Sequence, residues 1–196
     1  MKVAIIDYNA GNVRSVENAL RRLGVEPLLT SEKEAIIKAD KIIFPGQGEA
    51  GSTMYFLREK GMDKIIKGLK QPVLGICIGM QLMCSHSEEG NTECLGIFEV
   101  NVKRFQNVRQ ADKVPQMGWN TLKDVRGPIF EGFTKEEYVY FVHSYYVPLC
   151  PWTIATTDYI QPYSSAIQRE NFYATQFHPE KSGSVGERIL ENFLKL

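Results

Sequence analysis

An apolar run, Val73-Leu74-Gly75-Ile76, enters the pattern Gly-x-Cys-x-Gly and leaves it on Ile78-Gly79-Met80-Gln81-Leu82, residues that suit a helix. Few patterns constrain a fold more, because a strand that turns sharply into a helix around a cysteine lifts that side chain above a sheet. Gly75 and Gly79 carry no Cβ, so neighbouring backbone can come close to the turn. Cys77 would stand at a helix N-terminus, where the macrodipole favours negative charge, as a thiol nucleophile needs. The plainer alternative is a buried structural cysteine, and the paired glycines argue against it.

The rest of the first half supports such a sheet. The extended run Val3-Ala4-Ile5-Ile6 leads through Gly11 to a helical stretch with Val13, Val16, Leu20 and Leu23 at three- and four-residue spacing, closed by Gly24. A second strand is predicted over 27–29, and Ser31 with Glu34 three residues on is a capping-box pattern for a short helix reaching about Ala39. Lys41-Ile42-Ile43-Phe44 has the composition of a buried strand and stops at Pro45-Gly46-Gln47-Gly48; helices over 52–59 and 62–70 then precede the elbow. Strand and helix alternating in this way predict a largely parallel sheet with helices on both faces, because parallel pairs need crossovers.

After Ser85-His86-Ser87-Glu88-Glu89-Gly90, a loop by its polar composition, the pattern changes to extended, turn-punctuated segments over 96–105, 119–122, 138–147, 152–157 and 164–168. These predict added antiparallel or mixed strands, and a closing amphipathic helix is expected over 184–196. The fold class is therefore α/β. No Pro/Gly/Ser-rich or charge-rich stretch divides the chain, so residues 1–196 are expected to form a single domain.

Lys and Arg total 23 and so do Asp and Glu, with neither sign gathered into a long run, so neither nucleic acid nor a membrane surface is expected as a partner. The N-terminal run is too short for a signal peptide and no stretch approaches transmembrane length. Cys77, Cys84, Cys94 and Cys150 show no paired C-x-x-C spacing and no neighbouring His cluster, which argues against a metal centre or a disulfide framework and for a reducing, cytoplasmic setting.

A thiol nucleophile needs a base, and the chain has three histidines. His86 lies in the polar segment and is expected to be solvated. His143 lies in the aromatic run Tyr140-Phe141-Val142-His143-Ser144-Tyr145, where it is either packed or lining a substrate pocket. His178 follows the strand-like Tyr173-Ala174-Thr175-Gln176-Phe177, precedes the strand-breaking Pro179, and has Glu180 two positions on. A carboxylate so placed can orient the ring and stabilise its imidazolium, as in Ser-His-Asp hydrolases.

Gly75-Ile76-Cys77-Ile78-Gly79-Met80-Gln81 together with Gln176-Phe177-His178-Pro179-Glu180 resembles the paired signature of the class I glutamine amidotransferases. The resemblance runs essentially end to end. It implies a three-layer, flavodoxin-like fold and a Cys77, His178, Glu180 triad that hydrolyses the glutamine side-chain amide through a thioester, with no cofactor. It further implies oxyanion donors at Ile78 and in the loop carrying Gly46 and Gly48, and a glutamine pocket lined by Gln81, His143, Ser144 and Tyr145.

Five further pieces make the chain most similar to the branch of that family serving histidine biosynthesis: Asp7-Tyr8-Asn9-Ala10-Gly11-Asn12, Pro45-Gly46-Gln47-Gly48, Pro115-Gln116-Met117-Gly118-Trp119-Asn120, the 140–145 run, and Lys181-Ser182. That similarity implies a partner, a (β/α)8-barrel cyclase subunit that consumes the ammonia, with Asn12, Trp119, Tyr140 and Lys181 on the face where ammonia passes. Two positions depart from the usual pattern. Gln47 stands where Val is commoner, which puts the resting loop conformation in question, and Gln116 where His is commoner, a change expected to touch only details of the partner interface. Taken alone, Trp119 would be a core residue and Lys181 a solvated charge. Amidotransferase subunits of other pathways, an idle binding-only subunit on the same fold and a thiol peptidase are the alternatives.

Overall fold

The computed structural model describes residues 1–8, 13–46 and 48–196. Its first half comprises β1 (Val3–Ile6), α1 (Val13–Arg22), β2 (Leu28–Thr30), α2 (Lys33–Ile37), β3 (Lys41–Phe44), α3 (Ala50–Glu59), α4 (Met62–Gly68), β4 (Val73–Ile76) and α5 (Ile78–Met83). The second comprises β5 (Cys84–Ser87), β6 (Thr92–Glu93), β7 (Phe98–Arg104), β8 (Gln116–Leu122), β9 (Glu137–His143), β10 (Tyr145–Tyr146), β11 (Thr153–Asp158), β12 (Pro162–Arg169), β13 (Phe172–Thr175) and α6 (Gly183–Leu194).

The central sheet runs β11-β12-β13-β4-β3-β1-β2. Strands β13, β4, β3, β1 and β2 are parallel, and β12 and β11 extend one edge antiparallel. Every residue of β1, β3, β4 and β13 is buried, as strands covered on both faces require. The two-residue period divides their side chains between two cores. Val3, Ile5, Ile43, Leu74 and Ile76 pack with α1, α6 and the β8–β9 hairpin, whereas Ala4, Ile6, Ile42, Phe44 and Val73 pack under α2–α5 and β7. This is the expected three-layer α/β arrangement. Strand β4 holds the middle of the sheet, so whatever follows Ile76 emerges at the carboxyl ends of the parallel strands, where open α/β sheets hold ligands.

Local chemistry accounts for the element ends. Helix α1 closes at Gly24 in a Schellman pattern, with Val25 N–H donating to Leu20 O and Gly24 N–H to Arg21 O. The capping box anticipated at Ser31 does not form: Glu32 holds the N-cap of α2 without a side-chain bond, and Thr30 Oγ1 accepts the Glu32 N–H at 3.0 Å. Helix α3 starts at Ala50, ahead of position 52, because the Glu49 carboxylate accepts from Gly51 N and Ser52 N at 3.0 and 2.8 Å.

The segment expected as a polar loop contains strand β5, which pairs with β6 and β7 in a separate sheet ordered β10-β7-β5-β6. His86 sits on that strand with Nε2 3.0 Å from Asn91 Oδ1, so it is a half-buried strand residue and not a solvated loop residue. Cys-Ser-His-Ser carries no hydrophobic alternation, and its pairing alone makes it a strand. The extended run over 138–147 breaks at Ser144, sending β9 into a hairpin with β8 and β10 onto β7. Among the described residues no helix is long and apolar enough to cross a membrane.

Candidate active site

Cys77 stands between β4 and α5 at φ 54°, ψ −109°, a backbone conformation that costs a non-glycine residue about 1–3 kcal/mol. It is held there by Cys77 N–H donating to Thr175 O at 2.7 Å and by Met80 N–H and Gln81 N–H donating to Cys77 O at 3.0 and 3.3 Å. The turn is tight because the end of β3 lies against it. A Cβ on Gly79 would be 2.2 Å from Phe44 O, and one on Gly46 would be 2.1 Å from Ile78 Cγ2 and 2.5 Å from Gly79 N. Only glycine fits at either contact, so the loop bearing Gly46 rests directly on the elbow. The Tyr8 hydroxyl, buried beneath, donates to Pro45 O and ties the same loop to the end of β1.

His178 follows β13, the strand next to β4, which brings it to the same end of the sheet as Cys77. Its backbone is stitched to β9: His178 N–H donates to Tyr140 O at 3.0 Å, and Ser182 Oγ accepts from Tyr140 N at 3.0 Å while donating to His178 O at 2.6 Å. On the ring, Nδ1 lies 2.7 Å from Glu180 Oε1, with the two side chains 2% and 4% exposed. Burial alone would lower the His178 pKa, but the Cys77 sulfur and the Glu180 carboxylate outweigh it and push it up to about 10. His178 Nε2, also buried, has no hydrogen-bonding partner among the described residues, and the Cys77 thiol donates to Val142 O at 3.8 Å.

A cavity of about 290 Å³ opens beside the sulfur, the scale of a small metabolite. Cys77, His178, Gly46, Gly48, Ile78, Gln81, His143, Ser144 and Tyr145 all line it, together with Val142 and Glu89. Ile78 is the first residue of α5, so its N–H has no intrahelical acceptor and is free for an oxyanion. Gln81, one turn into α5, points inward: it is 3% exposed and donates from Nε2 to Tyr145 O and Gln176 Oε1, each at 3.0 Å.

Both options for His143 are realised, since it is buried and also borders the cavity. Burial pushes its pKa down to about 4, the Tyr145 carbonyl opposing and His178 adding to the fall, so it is neutral at pH 7 and donates from Nδ1 to Tyr145 O at 2.7 Å. Its Nε2 faces the Gln116 amide at 3.1 Å and the Tyr163 hydroxyl at 3.3 Å. Gln116 is therefore not an interface residue as expected from sequence. It is 3% exposed and braces the back of His143.

Two residues of this site carry no role in the sequence pattern. Glu89 lines the cavity and accepts from Ala50 N at 2.9 Å; burial raises its pKa, partly offset by that amide and reinforced by Glu49. Gln176, fully buried, donates from Nε2 to the Cys77 sulfur at 3.6 Å. Glu89 sat in a segment that looked like loop, and only the pairing of β5 brings it to the cavity.

Trp119 and Tyr140 are cross-strand partners on the β8–β9 hairpin, rings 5.9 Å apart at 73°. Trp119 is 57% exposed, not a core residue, and Met117 and Tyr138 beside it are exposed as well. Lys181 ends the short helical turn that carries Glu180. Asn12 and Gln47 lie outside the described residues. Among the described residues, no group of His, Cys, Asp and Glu could hold a metal ion.

The family model for glutamine amidotransferase class-I matches residues 4–196. A chain from Bacteroides thetaiotaomicron named imidazole glycerol phosphate synthase subunit HisH is 63% identical over 196 residues, with all of both chains covered. Chains of the same name from Escherichia coli K12 and Dehalococcoides mccartyi are 42% identical over 198 residues and 48% over 201, covering 100% and 99% of this chain and 100% and 97% of theirs. Among solved structures, a glutamine amidotransferase superposes with a TM-score of 0.76 at 22% identity, covering 100% of this chain and 98% of that one, a likeness of fold.

Proposed function

The chain belongs to the class I glutamine amidotransferase family, and from that premise we propose that it is the glutaminase subunit of imidazole glycerol phosphate synthase. In this reading residues 1–196 act as one amidotransferase domain in the cytoplasm, as a heterodimer with the cyclase subunit. The observation that carries it is the conjunction of an elbow thiol, a buried imidazole–carboxylate pair and an amino-acid-sized cavity in a chain whose full-length relatives bear that name.

Glutamine would enter with its α-ammonium toward Glu89, the acidic side chain of the cavity lining. An imidazole whose charged form is this strongly favoured readily takes the Cys77 proton. The sulfur then adds to the side-chain amide carbon, and the oxyanion is met by the Ile78 N–H and an N–H of the 46–48 loop. Collapse breaks the C–N bond, with His178 returning its proton from Nε2 so that ammonia leaves. Water, deprotonated by the same nitrogen, cleaves the γ-glutamyl thioester to glutamate and restores the thiol. Glu180 holds the ring through Nδ1 throughout.

Ammonia released without a consumer wastes glutamine, so the exposed Trp119, Met117 and Tyr138 face is read as the seat of the (β/α)8-barrel subunit that makes imidazole glycerol phosphate and AICAR. Tyr140 and Lys181 flank that seat, and Asn12 is assigned to it with them. Barrel occupancy would turn a peptide of the 46–48 loop into donor position, a coupling of two sites. Glutamate release measured alone, with the barrel, and with the barrel plus its ligand tests this: a large rise only with liganded barrel is expected, and partner-independent turnover overturns the assignment.

A further inference from the structure

We propose that Gln176 is a catalytic donor to the Cys77 sulfur, its orientation set by a buried amide relay that starts at the Tyr145 carbonyl. The polarity of the relay follows from its first member. A backbone carbonyl only accepts, so Gln81 must turn its amino group toward Tyr145 O, 3.0 Å away. The second proton on Gln81 Nε2 then goes to Gln176 Oε1, also at 3.0 Å. With its oxygen committed, Gln176 has only its amino group left for the sulfur, at 3.6 Å. Gln81 and Gln176 are 3% and 0% exposed, so bulk water cannot compete for any link. Both protons of Gln81 Nε2 are used, and only its Oε1 can address a ligand in the cavity.

The sulfur thus sits between an acceptor and a donor. Val142 O, 3.8 Å away, suits the thiol, and the Gln176 amino group suits the thiolate. Other titratable groups around Cys77 are His178 with Glu180 behind it, His143 on β9, Glu89 across the cavity, Tyr8 after β1 and Tyr163 on β12. Of these His178 alone supplies positive charge near neutral pH, since burial keeps His143 uncharged. A fixed amide donor therefore complements the imidazolium in holding negative sulfur, and a hydrogen bond to a charged acceptor is about twice as strong as a neutral one.

The inference rests on Cys77 being the nucleophile, and the test reads the thiol directly, so it can fail independently of the glutaminase assignment. The full-length chain is alkylated with iodoacetamide across a pH series and the Cys77 peptide followed by mass spectrometry. In Gln176→Met the profile is expected to move up by about one pH unit, equivalent to about tenfold slower alkylation below the midpoint; Gln81→Met, which breaks the relay one link earlier, should move it in the same direction. A purely structural role would lower the thermal midpoint and leave the profile in place, which would overturn the proposal. Because a buried substitution can prevent folding, the wild type supplies a second measurement: the Gln176 side-chain amide resonance should titrate with the alkylation midpoint, and a resonance flat across that range refutes the contact.

Discussion

Replacing Gly79 by alanine tests whether the contact between the elbow and the end of β3 is what sets the site. The new Cβ would lie 2.2 Å from Phe44 O and 3.2 Å from Phe44 C, both rigid backbone atoms. Restoring an ordinary contact of 3.4 Å to that oxygen requires the strand end and the elbow to separate by 3.4 − 2.2 = 1.2 Å. Gly46 and Gly48 come next along the chain, so the loop proposed to hold the oxyanion moves with Phe44. A displacement of this size in a positioned catalytic group costs about 100-fold in rate. Overpacking costs about 1–3 kcal/mol of stability, or about 2–12 °C in thermal midpoint for a domain of this length. Gly68, the last residue of α4, has open space where a Cβ would stand; Gly68→Ala is expected to keep full turnover and gain up to about 1 kcal/mol. The assay is glutamine kcat/KM for both variants alongside thermal melts. Wild-type turnover in Gly79→Ala, or an equal loss in Gly68→Ala, would refute the packing argument.

Other outcomes follow from single contacts. Cys77→Ser should lower glutamine turnover by at least about 10³-fold while leaving affinity for the barrel subunit unchanged in a calorimetric titration. Glu180→Gln should cut kcat by about 10²- to 10⁴-fold and, by leaving burial less opposed, lower the His178 pKa seen by NMR. The His178 pKa is raised in the folded state, from 6.5 to about 10, so its stabilising contribution is complete below pH 6.5 and is lost as pH climbs through 10. The thermal midpoint should therefore fall over that window more steeply in the wild type than in Glu180→Gln. Gln116→Leu takes away the Oε1 that accepts from the buried Tyr163 hydroxyl at 2.9 Å, and a destabilisation of about 1–3 kcal/mol in urea titration is expected.

What was legible in the sequence shares one property: it is local. The elbow glycines, Cys77 and the His178-Pro179-Glu180 segment are contiguous patterns, and so are the buried runs of β1, β3 and β4. What escaped depends on partners distant in sequence. Strand β5 has no hydrophobic alternation and exists through its pairing with β6 and β7, and with it were lost the strand position of His86 and the cavity position of Glu89. Gln116 looked like a partner-facing variation, because nothing in its neighbours tells that β8 turns it inward onto His143 and Tyr163. Period-2 alternation along β8 does hold the clue, since Met117 and Trp119 share the exposed face and Gln116 must take the other. Gln176 lay inside a recognised motif, yet its contact with sulfur required the sheet order that sets β13 beside β4.

In the proposed mechanism Cys77, and no other cysteine, is the thiol that receives the glutamyl group. Labelling the protein with a chloroketone analogue of glutamine, with and without excess glutamine, and mapping the adduct by peptide mass spectrometry tests this directly. One adduct on Cys77, prevented by glutamine and absent from Cys77→Ala, is the predicted result. An adduct on Cys84, Cys94 or Cys150, or labelling of Cys77 that glutamine does not slow, would contradict the account.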